Sequence, residues 1–484
     1  MTAPATTPSD NQLTSVKFSR LSKRTLLLGL TAAQLTALAI GVLPLVGAIY
    51  LGGDAVVAVL PLAILCAGIA LVPIGGQPIV AWLPIGLAWV WRSLTGQLEF
   101  RARIDRPRSA GTLALPGRAA ALRLVVDTVT GAALVHDPHA ATLTVTVPVT
   151  ASSFTMLDSA DQARRVAAWG RVLATTCRSG RIAALTVTER TLAGSGASLT
   201  EWWRANGADD GSLPARIYGE LIDRAGPTAE RHETTVSLTL DLRAAGRAIR
   251  TAGGGLRGAA AVLRQETQTL ATALRAAELT PSAPLGPTGL AMRLRTAYDP
   301  TVAPYLERTP DLGREVSTAG PVAVTETWGA LRSDAAWHCT LWISQWPQSA
   351  VYPGFLAPLL LTSGVQRTFA IRYEPVRADV AARDLRRKKT GHVTEAAQRA
   401  KAGQVEDVTQ TAEYGDVVTQ EADLAAGHGV LRATGLITVS ATNVDELEHD
   451  VAAVEQAAIQ AGCETRRLWG QQAAAFSASA VASL

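Results

Sequence analysis

Two histidine-containing pairs are the residues whose types and spacing come closest to a site of chemistry. His136 and His139 stand three positions apart, a spacing that could bring two imidazoles to one metal ion. Pro138 between them favours a turn instead, and no third or fourth ligand is near in the sequence. His338 and Cys339 are adjacent in a segment with strand character, so their side chains should point to opposite faces. We therefore predict no metal site, no catalytic residue and a chain that is not an enzyme.

Nucleotide chemistry would require a loop that holds phosphate groups. Gly253–Gly255 comes closest, but Leu256 and Arg257 follow where a P-loop has a lysine and a hydroxyl residue. Glycine triplets permit turns whether or not a ligand is present. The patterns GxxxxGK[ST], GxSxG and HExxH do not occur in the sequence. We therefore predict no cofactor.

One compact basic run lies far from the apolar N-terminal region, at Arg386, Arg387, Lys388 and Lys389. A solvated helix face is the usual role of such a run, and contact with an acidic partner or lipid is the alternative. The net charge of the chain is only +4. This mild balance argues against a dedicated nucleic-acid binder, so no direct nucleic-acid contact is expected.

The elements that position these residues begin with a nearly uncharged stretch. Between Thr25 and Trp91 the only charged residue is Asp54. Thr25–Gly53 and Ala55–Ile74 are each long enough to cross about 30 Å of hydrocarbon as helices. Asp54 follows two glycines and should lie in a tight turn. The pattern predicts a transmembrane hairpin of two helices.

A third apolar segment, Ile79–Trp91, is too short to cross the membrane and contains Pro84. It is typical of a helix lying in the headgroup region, where the amphipathic rings of tryptophan are favoured. The residues that we predict at this membrane interface are Trp82, Trp89, Trp91 and Arg92.

Basic residues flank the hairpin on both sides, and its turn has none. They are Lys17, Arg20, Lys23 and Arg24 before it, and Arg92, Arg101, Arg103, Arg106 and Arg108 after it. Because basic flanks resist translocation, the pattern predicts a two-span protein of the cell membrane with both termini in the cytoplasm.

The remaining sequence predicts an α+β chain with two cytoplasmic α/β sandwich-type, ferredoxin-like domains. The predicted segments are a cytoplasmic tail (1–24), the hairpin with its interfacial helix (25–96), a first α+β domain (105–245), a helical linker region (246–318) and a second α+β domain (319–484) with a helical insertion (376–425).

Several elements of these domains are predicted from local patterns. Thr142–Val147 and Thr235–Leu242 alternate strictly, which predicts strands with one face in a core and one in water. Ile182–Thr188 and Thr368–Tyr373 are further predicted strands. Asn443 with Glu446 has the spacing of a helix capping box, and the long insertion should be broken near Gly391 and Gly403.

The hairpin, together with Gly75–Gln77 leading into Trp82, resembles the small two-span inner-membrane subunit of conjugative type IV secretion systems. The rest is similar to the non-motor N-terminal region of their hallmark ATPase, at Ala319–Pro321, Trp328, Tyr352–Leu356, Tyr373–Pro375 and Trp469–Phe476. A fusion of this kind, in an actinobacterial family, is what the resemblance implies. It further implies a motorless structural or coupling subunit, within a larger complex of channel subunits, that docks a separate conjugative ATPase at the cytoplasmic face.

Two alternatives remain. Membrane component E of actinobacterial type VII secretion also has two early spans followed by a cytoplasmic α/β domain, and the hairpin fits it equally well. A membrane-anchored enzyme would instead need a cleft with clustered ionisable residues in the first aqueous domain.

Overall fold

The computed structural model describes residues 30–103, 111–152, 154–207, 210–225, 230–309, 315–347, 349, 351–402, 414–415, 417–422 and 429–481. The predicted tail, the first residues of the first span, Arg106, Arg108 and much of the end of the helical insertion lie outside them. The chain divides into two compact units. Arg20–Glu99 with Trp469–Gln471 is called the hairpin unit, and Phe100–Leu468 with Gln472–Leu484 the sheet unit.

The hairpin unit contains three helices, α1 (Ala32–Leu51), α2 (Gly53–Leu71) and α3 (Ile79–Leu94), with the short strands β1 (Pro73–Ile74) and β2 (Gln77–Pro78) before α3. Gly52, with φ of 112°, makes the turn between α1 and α2. Asp54 lies in the first turn of α2, where its negative charge is favoured by the helix dipole. The predicted two-helix apolar hairpin is confirmed.

Close contact between α1 and α2 depends on a small residue and an amide. A Cβ at Gly41 would lie 2.8 Å from the Cβ of Cys66, so the two helices meet at Gly41 without a side chain between them. The Gln34 side chain donates a hydrogen bond from Nε2 to the carbonyl oxygen of Ala70 at 2.9 Å. In hydrocarbon such a bond satisfies an amide that would otherwise be costly to bury.

Within the part of the sheet unit that the structure describes, thirteen strands form one sheet. They are β3 (Glu99–Arg101), β4 (Arg123–Val126), β5 (Ala133–Asp137), β6 (Thr142–Ala151), β7 (Ile182–Ala193), β8 (Glu230–Asp241), β9 (Leu279–Pro281), β10 (Ala323–Glu326), β11 (Leu331–Ser333), β12 (Ala336–Gln345), β13 (Gln366–Val376), β14 (Val430–Ala441) and β15 (Glu464–Arg467). Their order is β3-β10-β11-β12-β14-β13-β7-β8-β6-β5-β4, with β15 beside β12 and β9 beside β6. The pairings from β10 to β4 are antiparallel.

The sheet is continuous across the two predicted cytoplasmic domains. β7 of the first pairs with β13 of the second, with Glu189 opposite Phe369. The helices and strands of the chain confirm its predicted mixed α and β character. The division into separate ferredoxin-like domains at the predicted boundaries stays a prediction.

Helices cover both faces of this sheet. They are α4 (Ser159–Arg178), α5 (Ala197–Asn206), α6 (Leu213–Ala225), α7 (Gly246–Thr251), α8 (Gly255–Ala276), α9 (Pro287–Tyr298), α10 (Ala303–Arg308), α11 (Ala357–Leu360), α12 (Ala378–Ala402), α13 (Val444–Gln460) and α14 (Gln472–Phe476). Apolar residues of α4 and α8 pack with Leu143, Leu185 and Leu238 of the sheet. Those of α9 and α14 form a second core with Val135 of β5.

The prediction that one face of β6 and β8 meets water is wrong. Thr144, Thr146, Ser237 and Thr239 on the polar face are all buried. Their hydroxyls pair across the strands, Thr144 with Thr239 at 3.0 Å and Thr146 with Ser237 at 2.9 Å. Alternation correctly predicted which residues share a face, but the second helical layer covers the polar face. The hydrogen bonds between the paired hydroxyls offset the free-energy cost of burying them.

Three of the predicted strands, β7, β8 and β13, gain mostly polar residues beyond their apolar patterns. Ile182–Thr188 extends to Ala193 in β7, Thr235–Leu242 begins earlier, at Glu230 in β8, and Thr368–Tyr373 becomes Gln366–Val376 in β13. The added residues are largely polar or charged, but they pair in register with neighbouring strands. Backbone pairing therefore continues where the hydrophobic signal stops.

The helical insertion behaves differently from the prediction at one glycine. α12 passes through Gly391 without a break, and the second predicted break, near Gly403, lies outside the described residues. A single glycine inside a helix costs only about 1 kcal/mol relative to alanine, which the rest of the helix can offset. By contrast, the cap at Asn443 is confirmed, because its side-chain oxygen accepts a hydrogen bond from the Glu446 backbone N–H at 2.9 Å.

Candidate functional site

The surface of the hairpin unit is the clearest functional feature of the described residues. Large apolar side chains of α1 and α2 are exposed, for example Leu43 (70%), Val57 (71%) and Ile64 (64%). Both helices are long and apolar enough to cross a membrane. The buried core helix of a soluble protein would hide these side chains, and so broad an apolar surface is favourable only in lipid or against a partner. These features agree with the predicted membrane localisation.

The four predicted interface residues all lie on α3. Trp82 donates from its indole Nε1 to the carbonyl oxygen of Ile74 at 2.9 Å, and Trp89 is half-buried. Trp91 is 66% exposed. Arg92 is in the last turn of the helix and donates to the carbonyl oxygen of Gly470 at 2.5 Å. The depth of α3 in the membrane stays a prediction.

The predicted basic run lies on α12. Arg386 and Arg387 are exposed. Lys388 pairs with Asp384 at 3.5 Å, and Lys389 pairs with Glu421 at 2.7 Å. Carboxylates therefore offset part of the positive charge of the run, as on an ordinary solvated helix face.

His136 lies near the end of β5, and His139 lies in the turn between β5 and β6. The Asp137 carboxylate accepts hydrogen bonds from the backbone N–H groups of His139 (2.8 Å) and Ala140 (3.1 Å), which stabilises a turn between β5 and β6. Within the described part of the chain, no group of three or more His, Cys, Asp or Glu residues could hold a metal ion.

His338 and Cys339 point to opposite faces of β12, as predicted. The imidazole of His338 is hydrogen-bonded to the hydroxyls of Ser333 (2.7 Å) and Ser440 (2.8 Å). Burial lowers the pKa of His338 to about 4 and raises the pKa of Cys339 to about 12. At neutral pH the imidazole is neutral and engaged, and the thiol is protonated, so the two do not form a nucleophile and its base.

Gly253–Gly255 forms the turn between α7 and α8. The three residues have φ values of 103°, 75° and 58°, a region that glycine enters without strain. Their conformation explains the triplet by backbone geometry alone.

A groove of about 880 Å³ opens beside the end of α13. Its apolar lining comes from Trp346, Tyr352 and Phe355 together with three prolines. On its polar side the Gln345 side-chain amide donates to the Glu464 carboxylate at 2.6 Å. The groove lies in the predicted second domain, not in the first, and its lining suits apolar contact.

Sequence reasoning missed several buried arginines, among them Arg190 of β7 and Arg293 of α9, which are 2% and 5% exposed. Arg190 falls in the polar end of β7 that no apolar pattern marked. Arg293 lies on a helix with buried residues on nearly every side, so helical periodicity gave no signal for it.

Comparison with known proteins gives one family. A family model described as "Putative type VII ESX secretion system translocon, EccE" matches residues 228–343, from the beginning of β8 nearly to the end of β12. No curated protein matches the chain.

This match corrects the resemblance to conjugative type IV secretion. The predicted fusion of a type IV membrane subunit with an ATPase region is wrong, and so is the conjugative ATPase as its partner. The residues that suggested them are mostly glycines, prolines and aromatics, which serve packing and turns in unrelated α+β folds. The match instead supports the alternative hypothesis, a membrane component of type VII secretion.

Proposed function

We propose that this chain is a membrane-anchored structural subunit of a type VII secretion translocon. The observation that carries the proposal is the match of residues 228–343 to the translocon family. The same chain has two exposed apolar helices of membrane-spanning length, which is what a translocon subunit requires.

Its partners in this proposal are the other membrane components of the translocon, within a larger oligomeric complex and without direct nucleic-acid contact. Exposed apolar side chains on α1 and α2 offer lipid or helix contacts, and the groove beside α13 offers apolar contact to a protein segment. In this proposal the chain has a structural role without enzymatic activity, and His338 and Cys339 are buried residues of the sheet unit. ATP hydrolysis by the purified chain would contradict it.

We further propose two spans, with both termini and two ferredoxin-like domains in the cytoplasm, the second carrying the long helical insertion. Arg92, Arg101 and Arg103 after the hairpin, and the absence of lysine and arginine from its turn, support this orientation. Reporter fusions test it. Alkaline phosphatase should be active when fused after Gly52 and inactive after Leu484, and the reverse pattern would refute the topology.

Affinity purification of the tagged full chain from solubilised membranes tests the function. We expect other type VII membrane components to be recovered with it. Recovery of conjugative type IV components in their place would count against the proposal.

A further inference from the structure

Two arginines meet inside the sheet unit, between β7 and the helix α9 that covers its polar face. Arg190 donates from Nη2 to the hydroxyl of Thr296 on α9 at 3.0 Å. Arg293 lies one helical turn before Thr296, and its charge interacts with that of Arg190. Both side chains are almost completely buried.

Most donors of this pair have no acceptor among the described residues. Nε and Nη1 of Arg190, and Nε and Nη2 of Arg293, are buried without a hydrogen-bond partner. On the same face of the sheet, the hydroxyls of Thr186, Thr188 and Thr235 are also buried without one. Thr188 is two residues from Arg190 along β7 and lies opposite Thr235.

Nearby carboxylates balance the positive charge of the pair only in part, although the charges of Glu233 and Glu189 both act on Arg293. Glu233, opposite Arg190 in the sheet, has one carboxylate oxygen 3.7 Å from Arg190 Nη1, while its other oxygen is bound by Arg231 at 2.8 Å. Burial, and then the charge of Arg190, lower the pKa of Arg293 to about 9, so Arg293 is still a cation at neutral pH. Among the described residues no carboxylate is hydrogen-bonded to either guanidinium, and burying cations in this way is unfavourable unless something else compensates their charge.

Arg367, a buried arginine of the same sheet, has its hydrogen-bond donors satisfied by the protein itself. Its guanidinium donates to the backbone carbonyl oxygens of Thr362 at 2.6 Å, Val365 at 3.2 Å and Leu360. The unsatisfied hydrogen-bond donors of Arg190 and Arg293 therefore distinguish the layer of polar side chains between β7 and α9 from the surroundings of Arg367.

We propose that this layer is a binding site for one small inorganic oxyanion, of the phosphate or sulfate type, held between Arg190 and Arg293. The planar fork of guanidinium N–H groups matches such oxygens, and the threonine hydroxyls add further donors. Trapped water could accept the hydrogen bonds, but it would add no negative charge to the partial compensation by Glu233.

The first test measures bound anion on the full chain. The protein is purified in detergent micelles with phosphate and sulfate present, desalted into anion-poor buffer and denatured, and the released inorganic anions are quantified by ion chromatography. We expect about one phosphate or sulfate per chain, because a buried site should exchange slowly. Absence of both anions would overturn the proposal, since this measurement needs no variant to fold.

The second test uses protein purified throughout without phosphate and sulfate, and measures its thermal unfolding against added phosphate or sulfate at constant ionic strength. We expect a saturable rise in Tm, of about 3 °C at a hundredfold excess over Kd for a chain of this size. Arg293→Met should lose the rise. Arg295→Met removes an equal charge from the same helix, but Arg295 pairs with Asp334 (Nη1 to Oδ2, 2.8 Å). The Arg295→Met variant should therefore keep the rise in Tm. An equal response of both variants would show only a general salt effect and would overturn the site.

Discussion

At the residue scale, His338 shows how the buried polar face of the sheet controls protonation. Its ring nitrogens contact the hydroxyls of Ser333 and Ser440, and the ring packs against Phe476 with centroids 4.7 Å apart. No carboxylate is hydrogen-bonded to the imidazole among the described contacts, so burial favours the neutral form.

This burial predicts a pH dependence of stability. The pKa of His338 falls from 6.5 to about 4 on folding. Its contribution to the free energy of unfolding is therefore complete above pH 6.5 and is lost as the pH falls through 4, by about 3 kcal/mol in total. Denaturant unfolding of the full chain in micelles at pH 7, 5.5 and 4 should show this loss.

The matched variants separate His338 from other titrating groups. His338→Gln should flatten the decline between pH 6.5 and 4, while His449→Gln, at an exposed position of α13, should leave it unchanged. An identical slope in wild type and His338→Gln would contradict the assignment.

The sequence was informative for residues in strongly patterned segments and silent for polar ones at strand ends. Opposite faces for His338 and Cys339 follow from strand geometry alone. Arg190 and Glu233 were missed because charged residues interrupt the apolar runs of β7 and β8, although backbone pairing carries both strands past them. Only the pairing of β7 with β8, which are distant in the sequence, shows that Arg190 is buried and that Glu233 lies beside it.

At the element scale, the hairpin is held by contacts along one seam of α1 and α2. Gly41 lies against Cys66 and Ala63, whereas Gly47 on the same helix has no atom within 4 Å of an added Cβ. The hydrogen bond from Gln34 to Ala70 marks the other end of the seam. The two glycines therefore form a natural pair of test and control positions.

Cysteine cross-linking tests this seam. In Gly41→Cys the new thiol should form a disulfide with Cys66 on mild oxidation, because the Cβ atoms need to move apart only slightly to reach disulfide geometry. The measurement is the loss of maleimide-reactive thiols in membranes. Gly47→Cys should keep its thiol, and equal oxidation of both variants would contradict the helix pairing.

Elements were predicted best where a single physical signal dominates. Length and the near absence of charge were enough for α1 and α2, and the cap at Asn443 was enough for the beginning of α13. The covered polar face of β6 and β8 and the pairing of β7 with β13 were not accessible, because both depend on which distant segment packs against a strand.

At the scale of the whole molecule, an apolar hairpin unit and a sheet unit occur in one chain, and the type VII family match lies in the sheet unit. The hairpin alone fitted two kinds of secretion system. Topology and composition could not separate them because both resemblances rested on the same two apolar helices, and function depends on sites more than on fold.

The most direct test of the account is a native purification of the full tagged chain from membranes of cells with an intact type VII system. The account predicts one large complex on a native gel, containing the chain and other type VII membrane components. A control that begins at residue 97, and therefore lacks the hairpin, should be lost from the membrane fraction. Recovery of the full chain alone in every mild detergent, or in a complex without type VII components, would contradict the account.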